Sequence, residues 1–101
     1  MAKQVKFKSW LCTIIKSKYM ENDRIALLLK DAETGEPVAT ASVNIADYHF
    51  SDDLKETHTF IKDWGENKGM LKALVEQGIV KDTGVKWPTG YVEANLVEVL
   101  I

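Results

Sequence analysis

Hydrophobic and polar residues alternate at the start of the chain, with Val5 and Phe7 on one parity and Lys6 and Lys8 on the other. A period of two predicts a strand with one buried face. Residues 10–15 (Trp, Leu, Cys, Thr, Ile, Ile) are apolar on both parities, the pattern of a strand entering the middle of a sheet. Asn22 and Asp23 tolerate tight turns and precede a second strand in which Ile25, Leu27 and Leu29 share a face. Gly35 and Pro37 mark the clearest turn, predicting a hairpin onto a strand over residues 38–45. The small side chains Ala39, Ala41 and Ser42 predict the place where a helix packs.

Residues 46–56 form the longest polar irregular stretch, and residues 57–62 read as a further strand. Asp63 and Glu66 fit a helix start, and Met70, Leu71, Leu74 and Val75 recur at spacings of three and four, predicting an amphipathic helix over residues 66–77. Gly69 inside that window costs about 1 kcal/mol relative to Ala, which also fits a later start near Asn67. Gly78 stands where a left-handed residue ends a helix. Residues 80–90, with two glycines and a proline, read as a loop leading into a final strand over residues 91–100. The expected architecture is one α+β domain over residues 1–101: an antiparallel sheet of about five strands packed by a single helix.

Composition narrows the class without naming an activity. The 101 residues are 46% hydrophobic and 28% charged, globular values that exclude a disordered chain. Met1 reads as the start of a whole gene product, with no signal-peptide core behind it. Cys12 is the single cysteine, so no intrachain disulfide can form; with no membrane-length apolar run, a cytoplasmic location is expected. Net charge is −2, unevenly spread: residues 1–18 carry Lys3, Lys6, Lys8, Lys16 and Lys18 and no acid. Those lysines are the candidate nucleic-acid contacts, or else the solvated face of a first strand that deters edge pairing. A single arginine and an acidic pI of about 5.6 weigh against a nucleic-acid protein.

The reactive residue types form no motif. Cys12 lies in an apolar strand, the setting of a small buried side chain rather than a nucleophile. His49, Asp52, Asp53, Glu56 and His58 are a local cluster of ligand types, and a metal-dependent enzyme built on His49 and His58 is the weakest of three readings. The glycines are too scattered for a phosphate loop, and no cofactor is implied. The aromatics are more informative: Trp64 precedes the helix, and Trp87 and Tyr91 border the last loop. Trp and Tyr bury large areas at low entropic cost and dominate interface energetics. Trp87, Tyr91, Asp52 and Asp53 are therefore the candidate protein contacts, and an exposed edge strand would allow a homodimer.

Three stretches, residues 22–27, 35–44 and 61–71, together with residues 74–80 and the Thr83-Gly84 to Val92 close, resemble a family of small bacterial proteins of unknown function. Members are often encoded by phages, plasmids and conjugative elements. Where members often carry an aromatic followed by serine, this chain has Trp64-Gly65, which leaves Asp63 or Asn67 as the helix cap. The resemblance implies a mobile-element setting and no catalytic residues. The expected function is a non-enzymatic interaction domain that binds a host or element-encoded protein and modulates a defence or replication system.

Overall fold

Pro37, Ala39 and Thr40 pair in an antiparallel ladder with one strand, and two residues later Ser42 and Val43 pair with a different strand in a different sheet. The change of sheet at Ala41 organises the molecule. A computed structural model describes residues 3–45 and 52–101, with the side chains of Asp52 and Asp53 outside that description. It contains two antiparallel sheets of four strands, not one of about five. The first has the order β1 (Lys3–Phe7), β2 (Trp10–Lys18), β3 (Ile25–Asp31), β4 (Pro37–Thr40). The second has the order β5 (Ser42–Val43), β6 (His58–Ile61), β8 (Val92–Val99), β7 (Val80–Thr89). Among the described residues there are two α-helices, α1 (Asp52–Lys55), a single turn, and α2 (Met70–Glu76), where one was expected.

The principal core draws on the inward parity of both sheets. Val5, Phe7, Cys12, Ile14, Leu27 and Leu29 come from the first, Ile61, Val97 and Val99 from the second, and Met70 and Leu74 from α2. The alternation in β1, β2 and β3 places these side chains as the sequence pattern predicts.

Where β4 ends, β3 is left with an edge whose backbone groups need partners, because a buried unpaired amide costs as much as a lost hydrogen bond. The crossover supplies them. The Ala41 N–H donates to the Leu27 carbonyl at 2.8 Å, and the Leu27 N–H donates to Ser42 Oγ at 2.9 Å. The Thr59 hydroxyl, on β6, donates to the Ile25 carbonyl at 2.7 Å. Ser42 Oγ also shares a 2.8 Å hydrogen bond with the Tyr19 hydroxyl. On the other side of the crossover, Lys62 N–H donates to the Ala41 carbonyl and the Asn67 amide to the Thr40 carbonyl. Two side-chain hydroxyls thus carry the ladder of β3 across to the second sheet. Among the described residues, no buried side-chain nitrogen or oxygen lacks a partner.

The helix is shorter than the apolar spacing predicts, and it lies elsewhere. Residues 65–67 form a 3-10 turn, Gly69 takes φ 94° as the N-cap, and α2 begins only at Met70. A left-handed glycine cannot sit inside an α-helix, so the window over residues 66–77 breaks in two. Asp63 does serve as a cap, from a distance: its Oδ1 accepts from the N–H groups of Gly69 and Leu71 at 3.1 and 3.0 Å. Glu66 pairs with Lys62 at 2.8 Å instead of reaching back to the cap. Met70 and Leu74 are fully buried, whereas Val75 is 40% exposed and stands outside the expected stripe. The helix packs chiefly against β1 and β7, rather than centring on the small residues of the crossover. There its place is taken by Asn67 of the 3-10 turn.

Gln77, just past α2, closes the outer edge of β1. Its Oε1 accepts from Lys6 N–H, and its Nε2 donates to the Lys6 carbonyl, both at 2.7 Å. Lys6 neighbours the Phe7–Trp10 pair that flanks a two-residue turn, so its backbone groups point away from β2. One amide side chain therefore occupies the two bonds that another strand would make at Lys6.

Of the residues 80–90 expected as a loop, Val80–Thr89 form strand β7. The glycine and proline that read as breakers sit at tolerated points of an edge strand. The register shifts between Asp82 and Lys86, where Gly84 takes φ 83° and its N–H is held by Asp82 Oδ1 at 3.0 Å. Pro88 faces Glu93, one step from the Thr89–Val92 pair that closes the hairpin, so its missing N–H would have pointed away from β8.

Truncation of the helix anchor Leu74→Ala is expected to cost about 2–5 kcal/mol in urea denaturation; an unchanged midpoint would mean that this face is not load-sharing with the core. Ser42→Ala is expected to cost about 1–3 kcal/mol, more than removal of a methyl-sized group implies, because it strands the Leu27 N–H in the interior. A loss below about 0.5 kcal/mol would show that the hydroxyl is dispensable at the seam.

Candidate functional site

The second sheet carries apolar residues on both faces. Thr59, Ile61, Val97 and Val99 look inward, so alternation turns Phe60, Ala94 and Leu96 outward. Phe60 pairs with Leu96 and with Val43, and Trp87 pairs with Ala94. These residues form a second apolar cluster with Ile45, against which Val43, Trp64 and Trp87 pack while only partly buried. Trp64 arrives from the other direction, as the extended residue that leaves β6 and precedes the 3-10 turn. Two tryptophans thus border one patch on the outside of the sheet. The Lys62–Glu66 ion pair flanks it, and the Lys62 ammonium holds the Glu66 carboxyl below its usual range.

Tyr91 stands at the tip of the β7–β8 hairpin and is fully exposed. Gly90, at φ 66°, supplies the positive angle that a two-residue turn of type II′ needs at its first central position. This leaves the tyrosine at the second position with no neighbour to pack on. Of the expected protein contacts, Trp87 therefore belongs to the outer patch and Tyr91 to the hairpin tip. Asp52 and Asp53 open α1, which packs beside β6 of the same sheet. Trp64, which the sequence places only as the residue before the helix, joins that patch, partly buried against the cluster. The signal that could have found it is the apolar character of Ala94 and Leu96 on the parity opposite to Val97 and Val99.

The five N-terminal lysines do not form one surface. Lys6 lies on the outward face of β1. Lys8, in a tight turn at φ 54°, donates to the Glu66 carbonyl at 2.8 Å and sits 5.3 Å from the centre of the Phe7 ring. Lys16 donates to the Ile101 carbonyl at 3.0 Å, and Lys18 lies 3.8 Å from Glu56. Lys3 is exposed at the start of β1, on the same parity as Val5.

His49 falls outside the described residues. His58 Nδ1 is hydrogen-bonded to the neighbouring Thr57 hydroxyl at 2.7 Å, and His58 pairs with Glu98 across the sheet. Among the described residues, no group of three or more His, Cys, Asp or Glu side chains is placed to hold a metal ion. No helix among them is long and apolar enough to cross a membrane.

Cys12 is 0% exposed. Burial pushes its thiol above the ordinary value, and the charge of Asp31, its cross-strand partner, pushes further. A buried, protonated thiol is a poor nucleophile. Asp31 itself anchors the β3–β4 turn: its Oδ1 accepts from the N–H groups of Glu33 and Thr34 at 2.8 and 3.1 Å. The backbone bond from Thr34, followed by that from Glu33, holds the carboxyl below its ordinary value.

No protein-family model, curated protein or solved structure matches this chain. The functional reading rests on the geometry of the outer patch and hairpin.

The lowered Asp31 carboxyl has a pH signature. A carboxyl whose folded pKa lies below its unfolded value contributes stability above the unfolded pKa and loses it as pH falls through the folded one. Asp31→Asn keeps an accepting oxygen and removes the charge. The melting-temperature gap between wild type and Asp31→Asn is expected to be widest above about pH 5 and to narrow below about pH 4. A gap independent of pH would contradict the carboxylate's role in the turn.

Proposed function

We propose that the chain is a non-enzymatic interaction domain that holds a protein partner on the outer face of its second sheet, around Trp64, Trp87 and Tyr91. The observation that carries this reading is the pair of partly buried tryptophans packed on Phe60, Ala94 and Leu96, on the side of the sheet away from the principal core. Interfaces draw most of their energy from a few large aromatic side chains seated in an apolar surround. Here the surround is built into the sheet, so the rings are held in place before a partner arrives. That reduces the ordering cost of association. The hairpin adds Tyr91, whose ring gains nothing from the fold that exposes it. The resemblance noted above supports a setting as an accessory factor of a mobile element, and the partner proposed on that basis is a host or element-encoded protein of a defence or replication system.

A photo-crosslinking amino acid at position 91, in cells that express the chain, tests the reading. One discrete adduct is expected. With that partner purified, Trp87→Ala should weaken binding by at least about 2 kcal/mol, the scale of an interface hot spot, compared at a temperature where circular dichroism shows both proteins folded, since the ring also packs on the outer cluster. Equal affinity for the partner after Trp87→Ala and Tyr91→Ala would contradict the assignment.

A further inference from the structure

The first sheet also has an outward face, and its composition differs from the rest of the chain. On its first three strands the positions opposite in parity to the core residues are Gln4 and Lys6 on β1, Leu11, Thr13, Ile15 and Ser17 on β2, and Ala26, Leu28 and Lys30 on β3, all at least partly exposed except the buried Ala26. The register sets Lys6 beside Leu11, Thr13 beside Lys30, and Ile15 beside Leu28. Leu11 is 52% exposed, and neither Ile15 nor Leu28 belongs to either core cluster. The chain holds 15 acidic and 13 basic residues, yet these positions carry two lysines and no carboxylate. Neither Lys6 nor Lys30 has a side-chain ion pair among the described residues.

We infer that this face is a second docking surface, for an acidic amphipathic helix of a partner protein. The occupant follows from three features. The apolar centre is a strip, Leu11 to Ile15 along β2 with Leu28 beside it, rather than a pocket. Leu11 and Ile15 are about 13 Å apart along the strand, close to the 10–12 Å between positions i and i+7 or i+8 of a helix. The flanking charges are positive on both sides of the strip, so carboxylates on the margins of the incoming helix meet Lys6 and Lys30 while like charges are repelled. The exposed face of this chain's own α2 carries the Lys72–Glu76 ion pair beside Val75 and so offers no net negative charge to Lys6 and Lys30, which makes a second copy a poor occupant. Nucleic acid would find two lysines and no aromatic platform on these strands' outward positions.

The test uses the full chain and a fluorescein-labelled probe peptide of about 15 residues, helical by design, with leucines at i, i+4, i+7 and glutamates on both margins. Saturable binding is expected, with NMR shifts confined to Leu11, Thr13, Ile15, Leu28 and their neighbours. The Lys6→Glu/Lys30→Glu variant should lose about tenfold or more in affinity and gain affinity for the same peptide with lysines in place of glutamates. Leu11→Gln, at an exposed position, should weaken the acidic peptide without changing the melting temperature. Trp87→Ala should leave it unchanged, which separates this surface from the one proposed above. The inference is overturned by no binding of the acidic peptide, by equal binding of the lysine peptide to wild type, or by shifts centred on Trp87. It is also overturned if a short oligothymidylate binds this face more tightly than the peptide.

Discussion

The stretch of β3 from Ile25 to Leu27 has no neighbouring strand on one side, because β4 stops at Thr40 and the chain leaves for the other sheet. Ile25 and Leu27 are buried, so water cannot complete the ladder there. Ser42 and Thr59 do so with side-chain oxygens, one accepting from Leu27 and one donating to Ile25. Both hydroxyls stand on strands of the second sheet, so the bonds that satisfy β3 also tie the sheets together. An apolar residue at either position would keep its packing volume and leave a main-chain group unpaired, a cost of about 1–3 kcal/mol in the interior. A small side chain at Ala41 lets the two backbones come this close.

Away from that seam, the α2 side is closed by different means. The helix lies against β1 and β7, anchored by Met70 and Leu74, and Gln77 takes the two free backbone bonds of Lys6. The other long edge, β7, is blunted by the bulge at Gly84 and by Pro88. With edges treated in this way, contacts through open strand edges are disfavoured. The outward faces of the sheets are the surfaces on which the proposed recognition would take place. One carries aromatic rings seated on an apolar cluster, and the other a narrow apolar strip between lysines.

Much of the first sheet was legible from local pattern. The alternation at Val5 and Phe7 and at Ile25, Leu27 and Leu29, and the turn at Gly35, act over a few residues and survive in the structure. Asp63 was legible as a cap, and Met70 and Leu74 as buried. What escaped depends on partners far away in sequence. Nothing local to Ala41 marks the change of sheet, since residues on both sides of it are β-compatible. The strand β7 was hidden by Gly84 and Pro88, which break an isolated segment but are tolerated against β8. Gln77 reads as a polar surface residue until β1, some seventy positions earlier, is placed beside it. At the site, Trp87 and Tyr91 were visible as loop aromatics. The partnership of Trp87 with Trp64 required knowing which parity of β8 faces outward.

If the two hydroxyls join the sheets, the amides at the seam open only when the whole domain does. Native-state hydrogen exchange of the Leu27 and Ala41 N–H groups measures this directly, with the interior amides of β2 as reference. Exchange free energies equal to those of the slowest β2 amides, and equally sensitive to low denaturant, are the result expected of a global opening. Leu27 and Ala41 exchanging several kcal/mol more easily, while β2 stays protected, would show that the sheets part at the seam before either unfolds.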